Sequence, residues 1–266
     1  MITPHLIDIG LNLTHDSFDT DRDAVLRRAI AAGVGKMLIT GSDATNTQAA
    51  LELVRQYPGV LRSTAGVHPH HAKNVTSTDR TTLLNLMKQR EVMAIGECGL
   101  DYFRNFSPHS DQEAVFRWQL ECAVDIGKPV FLHERDAHAE FVSILSEFRP
   151  NLVGAVAHCF TGTAEQARKY VEMDLYIGIT GWICDERRGQ SLREAVKHIP
   201  ADRLLIETDA PYLIPRTIKP RPNSHRNEPM YLTEVLTQLA LCRGDSVESL
   251  AAATTENAVR LFRWVD

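Results

Sequence analysis

The feature that most constrains this chain is a recurrence. Eight short, apolar, β-branched runs alternate with amphipathic segments: Leu6–Leu11, Lys36–Thr40, Leu61–Val67, Val92–Glu97, Pro129–His133, Gly154–His158, Leu175–Thr180 and Arg203–Thr208. The runs lack the alternation of a half-exposed strand and read as parallel strands buried on both faces. Helical patterns fill the gaps. Asp21–Ala32 carries Val25, Leu26 and Ala29 at helical spacing. Ser110-Asp-Gln-Glu113 reads as a capping box opening a helix that stops near Gly127, and Thr163-Ala-Glu-Gln166 opens another in the same way. The seventh unit is the weakest, since Arg188–His198 must supply its helix. Ser246–Phe262 reads as a closing helix pair.

Eight units in 266 residues average about 33 residues, the size of a strand-plus-helix repeat. Parallel strands need right-handed crossovers, and eight of them can close a barrel. The expected fold is therefore α/β, a TIM (β/α)8 barrel, with residues 1–266 forming a single domain. An open doubly wound sheet is the rival. Its dinucleotide-binding form is weakened because Ile7-Asp-Ile-Gly-Leu-Asn12 lacks a Gly-x-Gly-x-x-Gly fingerprint.

Composition narrows the function classes. A 44% hydrophobic and 24% charged chain fits an ordinary globular protein and not a disordered one. No apolar run approaches the roughly 20 residues that span a bilayer. Met1–Ile9 contains His5 and Asp8 and lacks a basic stretch followed by an apolar core, so no signal peptide is expected and a cytoplasmic location is. Five scattered cysteines, with no Cys-x-x-Cys pair, read as free thiols. The formal net charge of −5 gives no general attraction to nucleic acid, so such a substrate needs a local basic patch or metal ions.

Polar residues able to do chemistry fall at the C-terminal ends of the runs: His68, Glu97, His133, His158 and Asp209. In a closed barrel these ends converge on one mouth, where active sites sit. Imidazole nitrogen and carboxylate oxygen together suit Zn²⁺, Mn²⁺ or Mg²⁺, and a bound ion activates water at neutral pH. Taken singly, each residue has a plainer reading: a strand-end histidine anchors a loop, and a strand-end carboxylate caps the next helix. Five such residues in five separate units favour a shared site. Glu207 is expected to point inward beneath Asp209, because residues two apart in a strand share a face. Buried there it needs a partner, either a ligand histidine or a structural ion pair.

The motifs, in this order, resemble the TatD family of metal-dependent deoxyribonucleases. The matching stretches are Thr-Ala-Gly-Val-His-Pro-His70, Ala-Ile-Gly-Glu-Cys-Gly-Leu-Asp101, Pro-Val-Phe-Leu-His-Glu-Arg-Asp136, Val-Ala-His-Cys-Phe-Thr-Gly162, Tyr-Ile-Gly-Ile-Thr-Gly181, Leu-Ile-Glu-Thr-Asp-Ala-Pro-Tyr-Leu213, Arg-Asn-Glu-Pro229 and Thr-Thr-Glu-Asn257. Gly-Trp-Ile-Cys-Asp-Glu-Arg-Arg188 narrows the likeness to the branch with 3′→5′ exonuclease action on single-stranded DNA and RNA. The resemblance implies an amidohydrolase-type barrel and divalent-metal phosphodiester hydrolysis, with a role in DNA repair or nucleic-acid degradation. It makes Glu97, His133 and His158 metal ligands, makes Asp209 a ligand or general base, and puts His68 near the substrate phosphate. Most of the family carries His-x-His at the end of the first strand, where this chain has Gly10-Leu11-Asn12. Two imidazoles are missing, so one of two metal positions should be weak and Mg²⁺ the preferred ion, with Mn²⁺ or Zn²⁺ as alternatives.

Two loops are expected to hold substrate. Pro211–Pro229 has five of the twelve prolines and carries Arg216, Lys219, Arg221 and Arg226 against one acid, Glu228. Four cations there could grip phosphates, and the plainer alternative is a Pro-stiffened surface strap. Asp101–Phe106 offers Tyr102, Phe103 and Phe106 for base stacking or for simple packing, with Arg104 beside them. Arg135 either touches a phosphate or pairs with Asp136. His70, His71 and His138 read as surface or supporting residues, and Trp182 with Arg187 and Arg188 as possible borders of the cleft. The expected reaction is hydrolysis of a terminal phosphodiester, with Asp209 taking the water's proton and His68 or a loop arginine stabilising the added negative charge. A metal-dependent amidohydrolase or deacylase acting on a small amide or aminoacyl-tRNA is the alternative, and a metal-stabilised binding protein is a third reading. A monomer is expected, with no membrane partner.

Overall fold

The computed structural model describes residues 6–264. Met1–His5, on which part of the leaderless reading rests, lie outside it. Eight parallel strands make one sheet in sequential order: β1 (Leu6–Leu11), β2 (Val34–Ile39), β3 (Leu61–Ala65), β4 (Val92–Asp101), β5 (Val130–Arg135), β6 (Ala155–Ala157), β7 (Tyr176–Ile179) and β8 (Leu204–Ile206). The ring closes where β8 returns to β1. Asp209 N donates to Gly10 O (2.8 Å) and Asn12 N to Ala210 O (2.7 Å), and Asp8 accepts from Thr208 N (3.0 Å) and Thr208 Oγ1 (2.5 Å). The expected (β/α)8 barrel is the fold, and the open-sheet rival is excluded.

The outer layer comprises α1 (Arg22–Ala31), α2 (Ala44–Gln56), α3 (Ser77–Met87), α4 (His109–Ile126), α5 (His138–Phe148), α6 (Ala164–Glu172), α7 (Gln190–Ala195), α8 (Leu232–Arg243) and α9 (Val247–Phe262). The Thr163–Gln166 capping box forms as read, with Thr163 Oγ1 accepting from Gln166 N. The Ser110–Glu113 box does not. Helix α4 starts two residues earlier than that box requires, at His109, behind Pro108, and Ser110 lies inside its first turn. Glu113 instead accepts a hydrogen bond from the Tyr102 hydroxyl (2.9 Å). Ser246–Phe262 is one helix and not a pair. Leu250, Ala251, Thr254, Asn257, Ala258, Leu261 and Phe262 keep a continuous buried stripe with no breaker, and the partner helix is α8. The seventh unit is thin, as expected: α7 spans six residues and passes into a 3₁₀ turn.

The core has two parts. The larger lies between sheet and helices. The smaller gathers Ile7, Ile9, Leu38, Ala94, Phe131, Val156, Tyr176 and Leu205 with Ala258, Leu261, Phe262 and Trp264. Strand residues from around the ring thus meet α9 and the residues after it, which close the N-terminal end of the barrel. With that end plugged, the C-terminal mouth is where polar side chains can reach solvent. Among the described residues no helix is long and apolar enough to cross a membrane.

Candidate metal centre at the barrel mouth

Strand β4 runs four residues further than its apolar run predicts, to Asp101, and carries Glu97 in its middle. Gly99 permits this. At φ +146°, a Cβ there would lie 1.9 Å from His133 O, so only glycine lets β4 pair so closely with β5. Glu97 and His133 thereby face each other. His133 Nδ1 lies 2.8 Å from Glu97 Oε1, His68 Nε2 3.4 Å and His158 Nε2 3.6 Å. One carboxylate oxygen is ringed by imidazole nitrogens from three different strand-plus-helix units. His68, Glu97 and His133 offer ligand atoms within 4.8 Å of one another, and so do His158, Cys159 and Asp209.

The electrostatics follow from this geometry. Burial opposes ionisation of Glu97, yet the neighbouring His68 and His158 imidazoles and the His133 hydrogen bond hold its carboxyl well below the usual range. Burial also lowers His133 and His158, but nearby carboxylates outweigh it. Asp101 and Glu97 lift His133 to about 9, and Glu207 and Glu97 lift His158 to about 10. His68 is pushed down to about 4, chiefly by burial. Asp209 is raised to about 7, by burial first, with relief from the His158 charge. The donors also fit a cation: His133 Nε2 is buried without a hydrogen-bond partner, its distance to Asp101 Oδ2 being 3.4 Å. Borderline nitrogen and hard oxygen in one cluster suit Mg²⁺, Mn²⁺ or Zn²⁺.

A second ring of groups sets the first. Glu207 points inward, as expected, and its partner is His158: Nδ1 lies 2.6 Å from Glu207 Oε2, and Cys159 N donates to Oε1 (2.5 Å). That leaves His158 Nε2 aimed at Glu97. The position of the missing first-strand imidazole is filled. A Cβ on Gly10 would stand 2.5 Å from Glu207 Oε2, and one on Gly178 2.5 Å from Oε1, so two glycines cradle this carboxylate. Asn12 is not an empty substitute either, because its Nδ2 donates to Asp209 Oδ1 (3.0 Å).

Three participants escape a sequence reading. His70, read as surface or supporting, has Nε2 2.7 Å from Asp101 Oδ2 and its ring 4.2 Å from that of His68. Asp101 also accepts from the Phe103 and Arg104 amides, a loop-nest role invisible in a strand-end motif. Cys159 joins the second ligand group, a role no metal-type cysteine spacing announced. All three fall inside the motif stretches quoted above, but nothing in those stretches says which side chains they meet.

The expected substrate contacts divide. The Arg135 guanidinium lies over the exposed Phe103 ring, 4.0 Å from its centroid. Tyr102 is turned toward α4, its ring stacked 3.5 Å from that of His109 and its hydroxyl on Glu113. Arg226 is engaged within the protein. It bonds Asp21 through both terminal nitrogens (2.8 Å each), Glu228 (2.8 Å) and Ser17 O, so its charge is spent pinning the strap to the start of the barrel. Asp185 gathers Arg188 (2.9 Å) and Arg216 (3.4 Å). Among the described residues the side chains of Arg187, Lys219 and Arg221 form no hydrogen bond or ion pair.

A parallel barrel closed at one end, with histidines and carboxylates converging at the other, defines a hydrolase of the divalent-cation type. The family model described as TatD related DNase matches residues 7–263, and the chain belongs to that family. It is 54% identical over 257 residues to the "3'-5' ssDNA/RNA exonuclease TatD" of Erwinia tasmaniensis, covering 97% of this chain and 99% of the relative. It is 51% identical to the protein of the same name from Salmonella typhimurium, over 98% and 100% of the two chains. Among solved structures, a TatD homolog from Escherichia coli K12 superposes with a TM-score of 0.89 at 29% identity, each chain fully covered. A TatD-family hydrolase from Entamoeba histolytica gives 0.90 at 26%, over 98% of this chain and 99% of that one.

Proposed function

We propose that this protein is a divalent-cation-dependent 3′→5′ exonuclease acting on single-stranded DNA and RNA. The observation that carries the reading is the convergence of three imidazole nitrogens on Glu97 Oε1, with the partnerless His133 Nε2 buried beside them. The names of the two enterobacterial relatives support the polymer substrate. Glu97, His133, His158 and Asp209 would hold the ion, which when bound polarises a phosphate oxygen and acidifies water. Magnesium is the ion proposed, since Gly10 and Asn12 stand where two further imidazoles would favour zinc.

The chain's own residues do the rest. Asp209, raised to about 7 by burial, is poised to accept the proton of the attacking water near neutral pH. His68, kept neutral by burial, faces the reacting phosphate as a hydrogen-bond donor and not as a charge. Glu207 holds His158 in a single tautomer. Arg135, backed by Phe103, and the unpaired Arg187, Lys219 and Arg221 meet the phosphate chain despite the net negative charge. The whole chain works as one domain, as a cytoplasmic monomer.

The test uses single-stranded DNA labelled at its 5′ end. Shortening from the 3′ end with Mg²⁺ and none with chelator is expected, and Asp209→Asn should lower the rate by about 10²–10⁴ while preserving the fold. Near-normal turnover in that variant removes Asp209 from the proton-accepting role. No shortening by the unaltered protein with any of Mg²⁺, Mn²⁺ or Zn²⁺ removes the function.

A further inference from the structure

Among the described residues eight large apolar side chains are exposed, and the three aromatic ones, Phe103, Phe106 and Tyr212, are each just over half exposed. All three sit on loops leaving barrel strands at the mouth, two after β4 and one after β8. The aliphatic ones lie elsewhere: Ile30, Leu241, Val247 and Val259 on outer helices, and Val153 ahead of β6 at the plugged end. In a closed ring of eight strands in sequential order, β4 and β8 stand four places apart, directly across the opening. The loops that carry the exposed aromatics therefore leave opposite sides of the mouth.

Tyr212 is the one the hydrolytic machinery leaves unused. Its amide donates to Asp209 O (3.0 Å), which ties the backbone of the two residues into one turn. The ring meets the His15 imidazole edge-on, with centroids 5.7 Å apart and planes at 87°. His15 is itself set by the Ser17 amide, which donates to Nδ1 (3.1 Å). Among the described residues the Tyr212 hydroxyl has no hydrogen-bond partner. A braced ring that leaves half its surface to water is a poor packing element and a good platform.

Building on the nucleic-acid reading above, we propose that Tyr212, braced by His15, is a stacking subsite for the unpaired 3′-terminal base of the substrate strand, across the mouth from Phe103 and Phe106. Stacking on an aromatic face is indifferent to base identity but requires a base free of its partner strand. In a duplex the terminal base is held in the helix by its partner strand and must be unpaired before it can turn onto a ring in the mouth, so the subsite favours single strands without reading sequence.

The test measures equilibrium binding and not turnover. A short 5′-fluorescent DNA strand with phosphorothioate terminal linkages is titrated with the protein in Mg²⁺, once with a normal 3′-terminal nucleotide and once with an abasic one. The unaltered protein is expected to bind the abasic strand about tenfold more weakly. Tyr212→Ala should bind the normal strand about tenfold more weakly and no longer distinguish the two, whereas Tyr212→Phe should behave as the unaltered protein. Full discrimination persisting in Tyr212→Ala overturns the subsite while leaving the nuclease reading intact. Failure of the unaltered protein to bind either strand overturns both.

Discussion

At the scale of single residues, the cluster depends on groups that touch no substrate. Gly10 shows this best. Its backbone is not in the left-handed region, so it is glycine for want of space and not of torsional freedom. Gly10→Ala would press a methyl group against Glu207 Oε2 and His158 Nδ1, whose mutual hydrogen bond sets the direction of Nε2. Supporting partners of this kind are typically worth about 10–100-fold in metal affinity or activity. Gly10→Ala is therefore expected to weaken cation affinity, measured by titration calorimetry, by at least about tenfold. Unchanged affinity would show that Glu207 has no orienting role. The first-strand departure read in the sequence as two missing imidazoles is, in the folded molecule, an exchange. The space of one imidazole goes to Glu207, and the place of the other goes to the Asn12 amide, which bonds Asp209.

At the scale of elements, α4 is the frame of the site. Gln112 and Gln119 are seven apart, two turns on one face, and both are buried. Gln119 Oε1 accepts from Val67 N (2.7 Å) and its Nε2 donates to Val67 O (3.1 Å), which fixes the backbone leading into His68. Gln112 does the same for Asp101, accepting from its N (2.8 Å) and donating to its O (3.1 Å). Gln119→Ala would leave both backbone groups of Val67 buried and unpaired, at a cost of about 2 kcal/mol. A fall of that size in urea-unfolding stability is expected, together with a rate loss from a displaced His68. A variant as stable as the original would count against the clamp. Such contacts explain why the strands and most helices were legible in the sequence while the α4 cap was not. Periodicity reports which face is buried, but a polar residue on that face has its partner chosen by tertiary contact. Glu113 went to Tyr102 and not to a cap.

At the scale of the whole molecule, the ring closes across its greatest sequence distance, and Asp8 is at the seam. Its carboxylate receives Thr208 N, Thr208 Oγ1 and Gly10 N. Burial nevertheless raises it from 3.8 to about 7, the hydrogen bonds offsetting part of the rise and the Glu207 charge adding to it. A carboxyl raised on folding favours the native state while it is protonated. Its contribution is full below about 3.8 and is lost as pH climbs through about 7. Asp8→Asn, which cannot ionise, is expected to gain on the unaltered metal-free protein in urea midpoint as pH is raised across that window. A gap between the two that does not change with pH would mean that Asp8 does not titrate there.

What the sequence by itself determined is the pattern imposed by burial: eight strands with both faces dry, their order, and the arrival of His68, Glu97, His133, His158 and Asp209 at one end. Those features are local, because each strand's apolar run and the polar residue that ends it are neighbours in the chain. Only the tertiary structure decided which of these groups share an atom. It also showed that Arg226 fastens the strap to Asp21 and Glu228, that Asp101, His70 and Cys159 belong to the cluster, and that Glu207 occupies the space beside Gly10. Each of those outcomes is a meeting of side chains from distant segments, set by the radius of a closed ring and the volume left inside it. A linear pattern carries no information about either.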